Sequence, residues 1–250
     1  MIHGLYAAAS GMIAIEDRQA VIANNIANSA TAGFKRQNSV NEGFKQIFLG
    51  AMGSPERLNM ERGPGGGLKT SNVYTDYAGG SIGVTGNPLH IALQGPGFLS
   101  VDTPAGERFT RDGALTIDAN GQLTTANGYP VLSEGGALVV QGGNVEFGPD
   151  GSVLVDNVPV GRLRVVEFDD PHLMERYGES LFAPAEKSGG PRPAELTSVV
   201  PGALENSNVQ LPYEMAQMML GLRMYNANQK VISSVDETVG RLINEVGMPT

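Results

Sequence analysis

The sequence predicts an α+β multidomain protein in which N- and C-terminal helices form a coiled-coil domain and a mainly antiparallel β domain is inserted between them. Apolar residues recur at helical spacing at both ends of the chain, whereas short alternating segments separated by glycine turns fill the middle. Glycine placement agrees, because residues 63–151 hold 20 of the 34 glycines, residues 1–30 hold two and residues 211–250 hold three. The ends and the middle therefore follow different backbone rules.

The first helix carries a narrow apolar seam. Steps of three and four residues predict a helix that packs along one side against another helix. The seam residues are Leu5, Met12, Ile15, Gln19, Ile22 and Ile26. The opposite face is small and weakly polar between Ala7 and Asn28, where a solvated helix would carry Lys and Glu. Such a surface favours an assembled protein over a monomer.

The C-terminal helix carries a matching seam, and Pro212 suits its first turn. Its seam residues are Met215, Met218, Leu222, Tyr225, Gln229 and Ile232. We expect the two seams to face each other, with Gln19 and Gln229 as polar interruptions that restrict the register. Periodicity alone fits equally well two amphipathic helices that cover a globular core.

The middle of the chain is typical of β structure. Asp112-Gly113, Asn120-Gly121 and Asn127-Gly128 predict hairpin turns, and Asp150-Gly151 predicts another. The predicted strands are 109–111, 115–117, 123–125, 129–132, 137–140, 145–147, 152–155 and 163–168. A short helical turn is expected at 172–177.

Composition also indicates where the domains begin and end. Residues 185–203 are rich in Ser, Gly and Pro and predict a connection that returns to the C-terminal helix. The predicted organisation is a discontinuous helical domain of residues 1–32 and 208–250, a linker or extended segment of residues 33–75, and a β-rich domain of residues 76–207.

Neither catalytic, cofactor-binding nor metal-binding residues are predicted. The chain has no cysteine, and His3, His90 and His172 stand apart without the spacing that pairs metal ligands. The Gly63–Thr70 stretch fails the phosphate-loop pattern, because Leu68 rather than glycine precedes Lys69. A net charge of −9 argues against general nucleic-acid binding.

No direct membrane insertion is expected, because no apolar run reaches the length of about 18 residues that a spanning helix needs. Residues 1–15 are similar to a signal-peptide core, yet a basic leader is absent and the apolar periodicity continues through Glu16, Asp17 and Arg18. We therefore interpret them as part of the mature helix.

Four stretches in order resemble one family, the axial rod and hook proteins of the bacterial flagellum. Their matching residues are Asn24, Asn25, Asn28, Gly33, Phe34 and Lys35 in the first stretch, Gly95, Gly97 and Phe98 in the second, Arg111 and Gly113 in the third, and Ser207, Asn208, Val209, Glu214 and Met215 in the fourth. The resemblance extends over nearly the whole chain. Pro96 and Leu99 depart from the family pattern.

Within that family the chain is most similar to the proximal rod members, through residues 168–171 and 177–182. The distal rod members come second, and a hook-type axial protein is the remaining alternative within the family. The resemblance implies a structural subunit, not an enzyme, that assembles helically into the periplasmic drive shaft of the flagellar basal body and transmits torque to the hook and filament.

The partners that the resemblance implies are copies of the chain itself, other flagellar rod subunits and the flagellar type III export apparatus. It also implies that the chain is exported without cleavage of a signal peptide. No cofactor is implied. A secreted β-rich enzyme or carbohydrate-binding module with helical ends is the alternative from another class. That alternative predicts a ligand cleft and helices that resist proteolysis in the monomer, whereas the rod interpretation predicts termini that are disordered before assembly.

Overall fold

The computed structural model describes residues 2–43, 68–140, 142–178, 180–185 and 188–246. These fall into two compact units. The helical unit comprises the described residues of Met1–Ile26, Gln37–Tyr74 and Gln210–Thr250, and the β unit comprises those of Ala27–Arg36 and Thr75–Val209. Most of the predicted linker, residues 44–67, lies outside the described residues.

The helical unit contains two long helices, α1 (Ile2–Ala27) and α2 (Leu211–Val246). The predicted helices at both ends of the chain are thereby confirmed. Two strands, β1 (Gln37–Gly43) and β2 (Leu68–Thr75), form a two-stranded sheet where an extended linker was expected. In the part of the chain that the structure describes, no helix is both long and apolar enough to cross a lipid bilayer.

Small residues bring α1 and α2 together. A Cβ atom on Gly221 would lie 3.1 Å from Gln19 Nε2, and one on Gly11 would lie 3.2 Å from Asn228 Nδ2. Ala8 and Ala14 are buried beside them on α1. The two helices therefore meet where a glycine of one faces a polar side chain of the other, and Arg18 Nη2 adds a hydrogen bond to Gln217 Oε1 at 2.7 Å.

The β unit is built on an antiparallel sheet of six strands in the order β15-β16-β6-β5-β14-β17. Its strands are β5 (Phe98–Thr103), β6 (Gly106–Thr110), β14 (Val165–Glu167), β15 (Glu175–Tyr177), β16 (Leu181–Ala183) and β17 (Arg192–Pro193). The mainly antiparallel β domain that the sequence predicts is confirmed.

Smaller antiparallel sheets complete the β unit. Four of them are pairs: β3 (Ile82–Val84) with β19 (Ala203–Glu205), β4 (Ile91–Gln94) with β18 (Ser198–Pro201), β7 (Leu115–Ile117) with β8 (Leu123–Thr125), and β9 (Leu132–Ser133) with β10 (Gly136–Ala137). A three-stranded sheet consists of β11 (Val145–Phe147), β12 (Ser152–Val155) and β13 (Val158–Arg162), with β12 in the centre.

Strand β5 lies between two apolar cores. Successive side chains of a strand point to opposite faces, so Phe98 enters one core and Leu99 the other. The core around Leu99 is aliphatic and includes Val101 and Leu123. The other core is aromatic, and its members are Phe98, Phe109, Phe168, Phe182, Val166 and Met174, with Tyr77 packed against them.

Of the four predicted glycine turns three are confirmed, including Asp150-Gly151 between β11 and β12, where Gly151 has a φ of 83°. Gly121 and Gly128 adopt φ values of 78° and 81°, and each follows its asparagine in a reversal of the chain. The prediction of a hairpin at Asp112-Gly113 is wrong, because β6 and β7 do not pair. Gly113 instead allows a close backbone approach, since a Cβ there would overlap the Ile91 carbonyl.

A hairpin turn that the sequence did not indicate lies at Asp156 and Asn157, between β12 and β13. Both residues have positive φ, 49° and 65°, as a type I′ turn requires. The usual signal for this turn is a glycine in its second position, and here asparagine takes that place.

Two further expectations need correction. The helical turn predicted at 172–177 is a 3₁₀ turn over Pro171–Leu173, followed at once by strand β15. Asp170 caps that turn, since its carboxylate accepts from the His172 backbone N–H at 3.0 Å. The connection predicted at 185–203 contains β17 and β18 and the first residue of β19, because strand pairing across the unit overrides the local turn composition.

We expect truncation of Phe182, a central ring of the aromatic core, to lower the stability of the protein strongly. Phe182 is fully buried, and its ring centroid lies 5.7 Å from that of Phe98 and 5.3 Å from that of Tyr77. We expect Phe182→Ala to lower the free energy of unfolding by about 3–5 kcal/mol, measured by urea titration of the full chain. The control Leu196→Ala, at a side chain that is mostly exposed, should change it by less than about 0.5 kcal/mol. Equal effects would contradict the assignment of Phe182 to the core.

Candidate functional site

A buried ionic cluster of Lys35, Arg111 and Glu205 occupies the β unit. Lys35 Nζ lies 2.6 Å from Glu205 Oε1, and Arg111 Nη1 lies 3.3 Å from Glu205 Oε2. The three side chains are only 1%, 4% and 2% exposed, respectively. One carboxylate therefore pairs with two cations from distant parts of the chain, out of reach of water.

Backbone groups complete the cluster. Lys35 Nζ also donates to the Ala78 carbonyl at 2.8 Å, and Arg111 Nη2 donates to the Gly95 carbonyl at 2.6 Å. Glu205 Oε1 accepts a further hydrogen bond from the Gly80 N–H at 2.8 Å. The cluster thereby fixes the backbone of segments that share no local sequence.

Gly33 permits the approach of Lys35 to this cluster. Its φ of 66° lies in the left-handed region, and a Cβ atom there would overlap the backbone of Arg111. The Gly33 N–H donates to the Glu205 backbone carbonyl at 2.7 Å. The glycine of this motif is therefore required by both backbone conformation and space.

Arg176 covers the Phe34–Lys35 segment. Its guanidinium lies 4.2 Å from the centre of the Phe34 ring, and its Nη1 donates to the Lys35 carbonyl at 3.0 Å. Phe34 itself is fully buried. Cation–π stacking together with a backbone hydrogen bond thus holds this segment in the β unit.

Burial lowers the pKa of the Lys35 amine, and the nearby Glu205 carboxylate opposes that shift. Burial likewise lowers the pKa of Arg111, again against the attraction of Glu205. The Arg111 guanidinium stacks 5.0 Å from the centre of the Phe98 ring, and its Nε has no hydrogen-bond partner among the described residues. Because two buried cations share one carboxylate, we expect loss of that carboxylate to lower the stability of the β unit strongly.

Asn208 ties the end of the β unit to the residues that follow Lys35. Its Oδ1 accepts from the Arg36 N–H at 2.7 Å, and its Nδ2 donates to the Asp76 and Ala78 carbonyls at 2.9 and 3.1 Å. The side-chain amide therefore makes the hydrogen bonds that the backbone of a paired strand would make. Nearby, Ser207 Oγ accepts from the Val209 N–H at 3.3 Å.

Asn25 plays a comparable part in the helical unit. Its Nδ2 donates to the Gln37 carbonyl at 2.8 Å, and its Oδ1 accepts from the Gln37 N–H at 2.9 Å. The side chain is buried and supplies both hydrogen bonds that a paired strand would make. The asparagine thereby joins helix α1 to the first residue of β1.

The remaining motif residues serve local structure. Gly97 donates its N–H to Thr197 Oγ1 at 2.8 Å. Asn28 is buried and accepts from Thr31 Oγ1 at 3.2 Å, whereas Asn24 is exposed. Glu214 is buried in the first turn of α2.

The structure thus brings Gly33, Lys35, Gly95, Arg111 and Asn208 together in the β unit, from all four motif stretches. Sequence reasoning did not select Glu205 and Arg176. Glu205 lies two residues before Ser207 of the fourth motif stretch, and this proximity is the signal that could have found it.

The predicted seam residues occupy several environments on the two helices. Ile22 is buried; Met12, Ile15, Gln19, Ile26, Met218, Tyr225 and Ile232 are half-buried; and Leu5, Met215, Leu222 and Gln229 are exposed. Gln229, expected as a buried polar interruption, faces outward in the single chain. The opposed seam remains a prediction for the assembled protein.

Among the described residues, no group of three or more His, Asp and Glu side chains is arranged to hold a metal ion. Asp112, the residue after Arg111, is buried in the β unit. Its Oδ1 accepts a hydrogen bond from the Ala114 N–H at 3.0 Å. Burial raises the pKa of this carboxyl, against the Ala114 hydrogen bond and the nearby His90.

Three family profiles match the chain. Residues 5–35 match the flagella basal body rod protein profile, residues 92–155 match the D1 domain of the flagellar hook protein FlgE/F/G, and residues 200–245 match the C-terminal region of the flagellar basal body rod FlgEFG protein. The flagellar basal-body rod protein FlgF of Mesorhizobium japonicum is 31% identical over 97% of this chain and 98% of its own. The chain belongs to the flagellar basal-body rod protein family.

Other relatives in the family match to the same extent. FlgF of Escherichia coli is 31% identical over 96% of this chain and 97% of its own. FlgG of Buchnera aphidicola from Schizaphis graminum is 30% identical over 97% of this chain and 99% of its own. The predicted resemblance is confirmed, and both kinds of rod protein are similar to almost the full length of the chain.

The ionic cluster predicts a strong dependence on Glu205. Glu205→Gln preserves the size of the side chain and an acceptor for Gly80, but it leaves Lys35 and Arg111 buried without a counter-charge. We expect the free energy of unfolding to fall by about 3–5 kcal/mol in a urea titration. The control Glu134→Gln breaks an exposed ion pair with Arg162, 3.6 Å long, and should cost less than about 1 kcal/mol. A similar small cost for both variants would show that the cluster does not hold the β unit.

The Asp112 carboxyl predicts a pH-dependent effect. Because its pKa is raised on folding, the ionised form lowers stability, and this cost appears as the pH rises through the ordinary value of 3.8 and is complete above the raised pKa. Asp112→Asn keeps the acceptor for Ala114, so we expect it to raise the unfolding midpoint at neutral pH and to lose that advantage below pH 3.8.

Asp118→Asn provides a control of opposite sign. A hydrogen bond from the Gln122 N–H to Asp118 lowers the pKa of this exposed carboxyl, so its contribution is present above the ordinary value and is lost as the pH falls through the lowered one. The variant should therefore be less stable than the parent at neutral pH, and the difference should vanish in acid. Thermal unfolding monitored across pH measures both; matching profiles would refute the assignment for Asp112.

Proposed function

We propose that the chain is a structural subunit of the flagellar basal-body rod and assembles helically with copies of itself and with other rod subunits. The observation that carries this proposal is the apolar surface of the two terminal helices. In the described part of the chain their exposed large apolar side chains are Leu5, Tyr6, Ile13, Leu211, Tyr213, Met215, Met219, Leu220, Leu222, Met224 and Val231. A soluble monomer rarely presents so much apolar surface on two neighbouring elements.

The helix contact within one chain leaves this surface available. The contact brings Gly11 against Asn228 and Gly221 against Gln19, and the exposed large side chains of both helices remain available to pack against helices of other subunits. We propose that the seam from Leu5 to Ile26 and the seam from Met215 to Ile232 pack in a coiled coil in the assembly. Residues 1–32 and 208–250 would then act as the inner helical domain, residues 33–75 as the linker and residues 76–207 as the outer β domain.

A repeated contact between two different surfaces of a subunit produces an open helical array when the rotation does not close. Such an array of terminal helices is stiff along its axis, which suits a drive shaft that transmits torque through the periplasm to the hook and filament. The role is mechanical, and no catalytic step is assigned. We propose that the flagellar type III apparatus exports the chain without a cleaved signal peptide.

We place the subunit in the proximal rod, with the distal rod or a hook-type axial position as the alternative. The segments similar to proximal members support this choice. They include Phe168 and Phe182 of the aromatic core and Tyr177, over whose ring Arg108 stacks at 5.0 Å. Locating the chain along the axis of isolated basal bodies by labelled electron microscopy distinguishes these positions.

The exposed seam predicts that assembly can be lost without loss of folding. Leu222 is 48% exposed, so Leu222→Asp should leave the helical content and the unfolding midpoint of the full chain nearly unchanged. In the assembly the aspartate would be buried against apolar neighbours, and we expect at least a tenfold loss of polymer in sedimentation and of motility in cells. The control Asn226→Asp places the same charge at an exposed polar position of α2 and should assemble. Normal polymer from Leu222→Asp would contradict the seam.

A further inference from the structure

Strand β3 has an outer edge with unpaired backbone groups. It pairs with β19 alone among the described strands, in a two-stranded sheet. The ladder continues on both sides, since the Asn206 N–H donates to the Ser81 carbonyl and the Thr85 N–H donates to the Gly202 carbonyl, both at 2.8 Å. Antiparallel ladders bond every second residue, so Ile82 and Val84 direct their N–H and C=O groups away from β19.

Apart from its short length, this edge lacks the features that normally block strand addition. Residues 77–89 carry no charged side chain. Val84 is 88% exposed and Ile82 is 39% exposed, so β-branched side chains flank the free backbone groups. Exposed uncharged edges of this kind are templates for pairing with another chain.

Other outer strands of the β unit are protected. Strand β13 contains Pro159 and a register shift opposite Val153 and Leu154. Strand β15 carries Glu175 and Arg176, and strand β17 consists of an arginine and a proline. Charges, prolines and bulges are the usual devices against edge-to-edge pairing. Strand β3 carries none of these three devices.

We infer that the outer edge of β3 accepts strand β2 of a second copy of this chain. Residues 70–75 of β2 are uncharged, and Val73 and Tyr74 are each 47% exposed. In the described residues β2 belongs to a two-stranded sheet with β1, which leaves one of its edges open. Pairing the two edges joins backbone donors to acceptors and covers apolar side chains on both strands.

The inference rests on the proposed function and names one of its subunit contacts. Because β2 and β3 are different surfaces, their pairing is heterologous and leaves a free β3 and a free β2 at the two ends of every series. A β3–β3 pair would instead be isologous and close into a dimer. Only the heterologous contact is compatible with continued growth of a polar array.

The natural absence of cysteine allows a direct test. Single-cysteine variants Val84→Cys and Val73→Cys are mixed, induced to polymerise and treated with a short bis-maleimide, and covalent dimers are measured by electrophoresis and mass spectrometry. We expect the polymer from this mixture to yield at least ten times more dimer than polymer from Val84→Cys mixed with Val158→Cys. Val158 is a matched control, because it is exposed on the protected strand β13.

The outcomes separate the inference from the proposed function. Polymer without Val84–Val73 cross-links, or with cross-links mainly between two Val84→Cys copies, would overturn the inference and leave the proposed function standing. Failure of the unaltered chain and all variants to polymerise, alone or with isolated basal bodies, would overturn both.

A charged blocking residue gives an independent readout. Val84→Lys introduces the kind of side chain that protects natural edges, at a position exposed enough for the fold to accept it. We expect at least a tenfold fall in polymer, with an unchanged unfolding midpoint, and no such fall for Val158→Lys. Equal polymer yields from the two lysine variants would overturn the inference.

Discussion

The Glu205 carboxylate is the interaction on which the layout of the β unit depends. It forms ion pairs with Lys35 and Arg111, which lie 170 and 94 residues away in the chain. Taking three charges out of water is costly, so such a cluster is tolerated only when every partner is in place. It therefore selects one arrangement of the segments rather than simply adding stability.

The position of this cluster in the chain explains its importance. Lys35 follows the end of helix α1 by eight residues, and Glu205 precedes the start of helix α2 by six. The places where the chain enters and leaves the β unit are thus fixed in the same buried contact, and the Asn208 side chain adds hydrogen bonds to the backbone of Arg36, Asp76 and Ala78.

Periodicity was sufficient to predict the terminal helices, because a long helix repeats its apolar positions many times. Strands such as Leu115–Ile117 and Leu123–Thr125 were also predictable, since Asn120-Gly121 between them dictates the reversal of the chain. The pairing of Glu205 with Lys35 was not, because no local pattern reports a contact across 170 residues. Periodicity likewise places Leu222 on an apolar face of the helix, but it does not show whether that face packs against the same copy of the chain or another. The small residues where α1 meets α2 produce no apolar pattern in the sequence.

The strand Phe98–Thr103 has a mechanical consequence. Phe98 belongs to the aromatic core and Leu99 to the aliphatic one, so neighbouring residues of a single strand anchor both. Neither core can loosen without displacing an anchor of the other. Under shear we therefore expect the two cores to open together rather than one after the other.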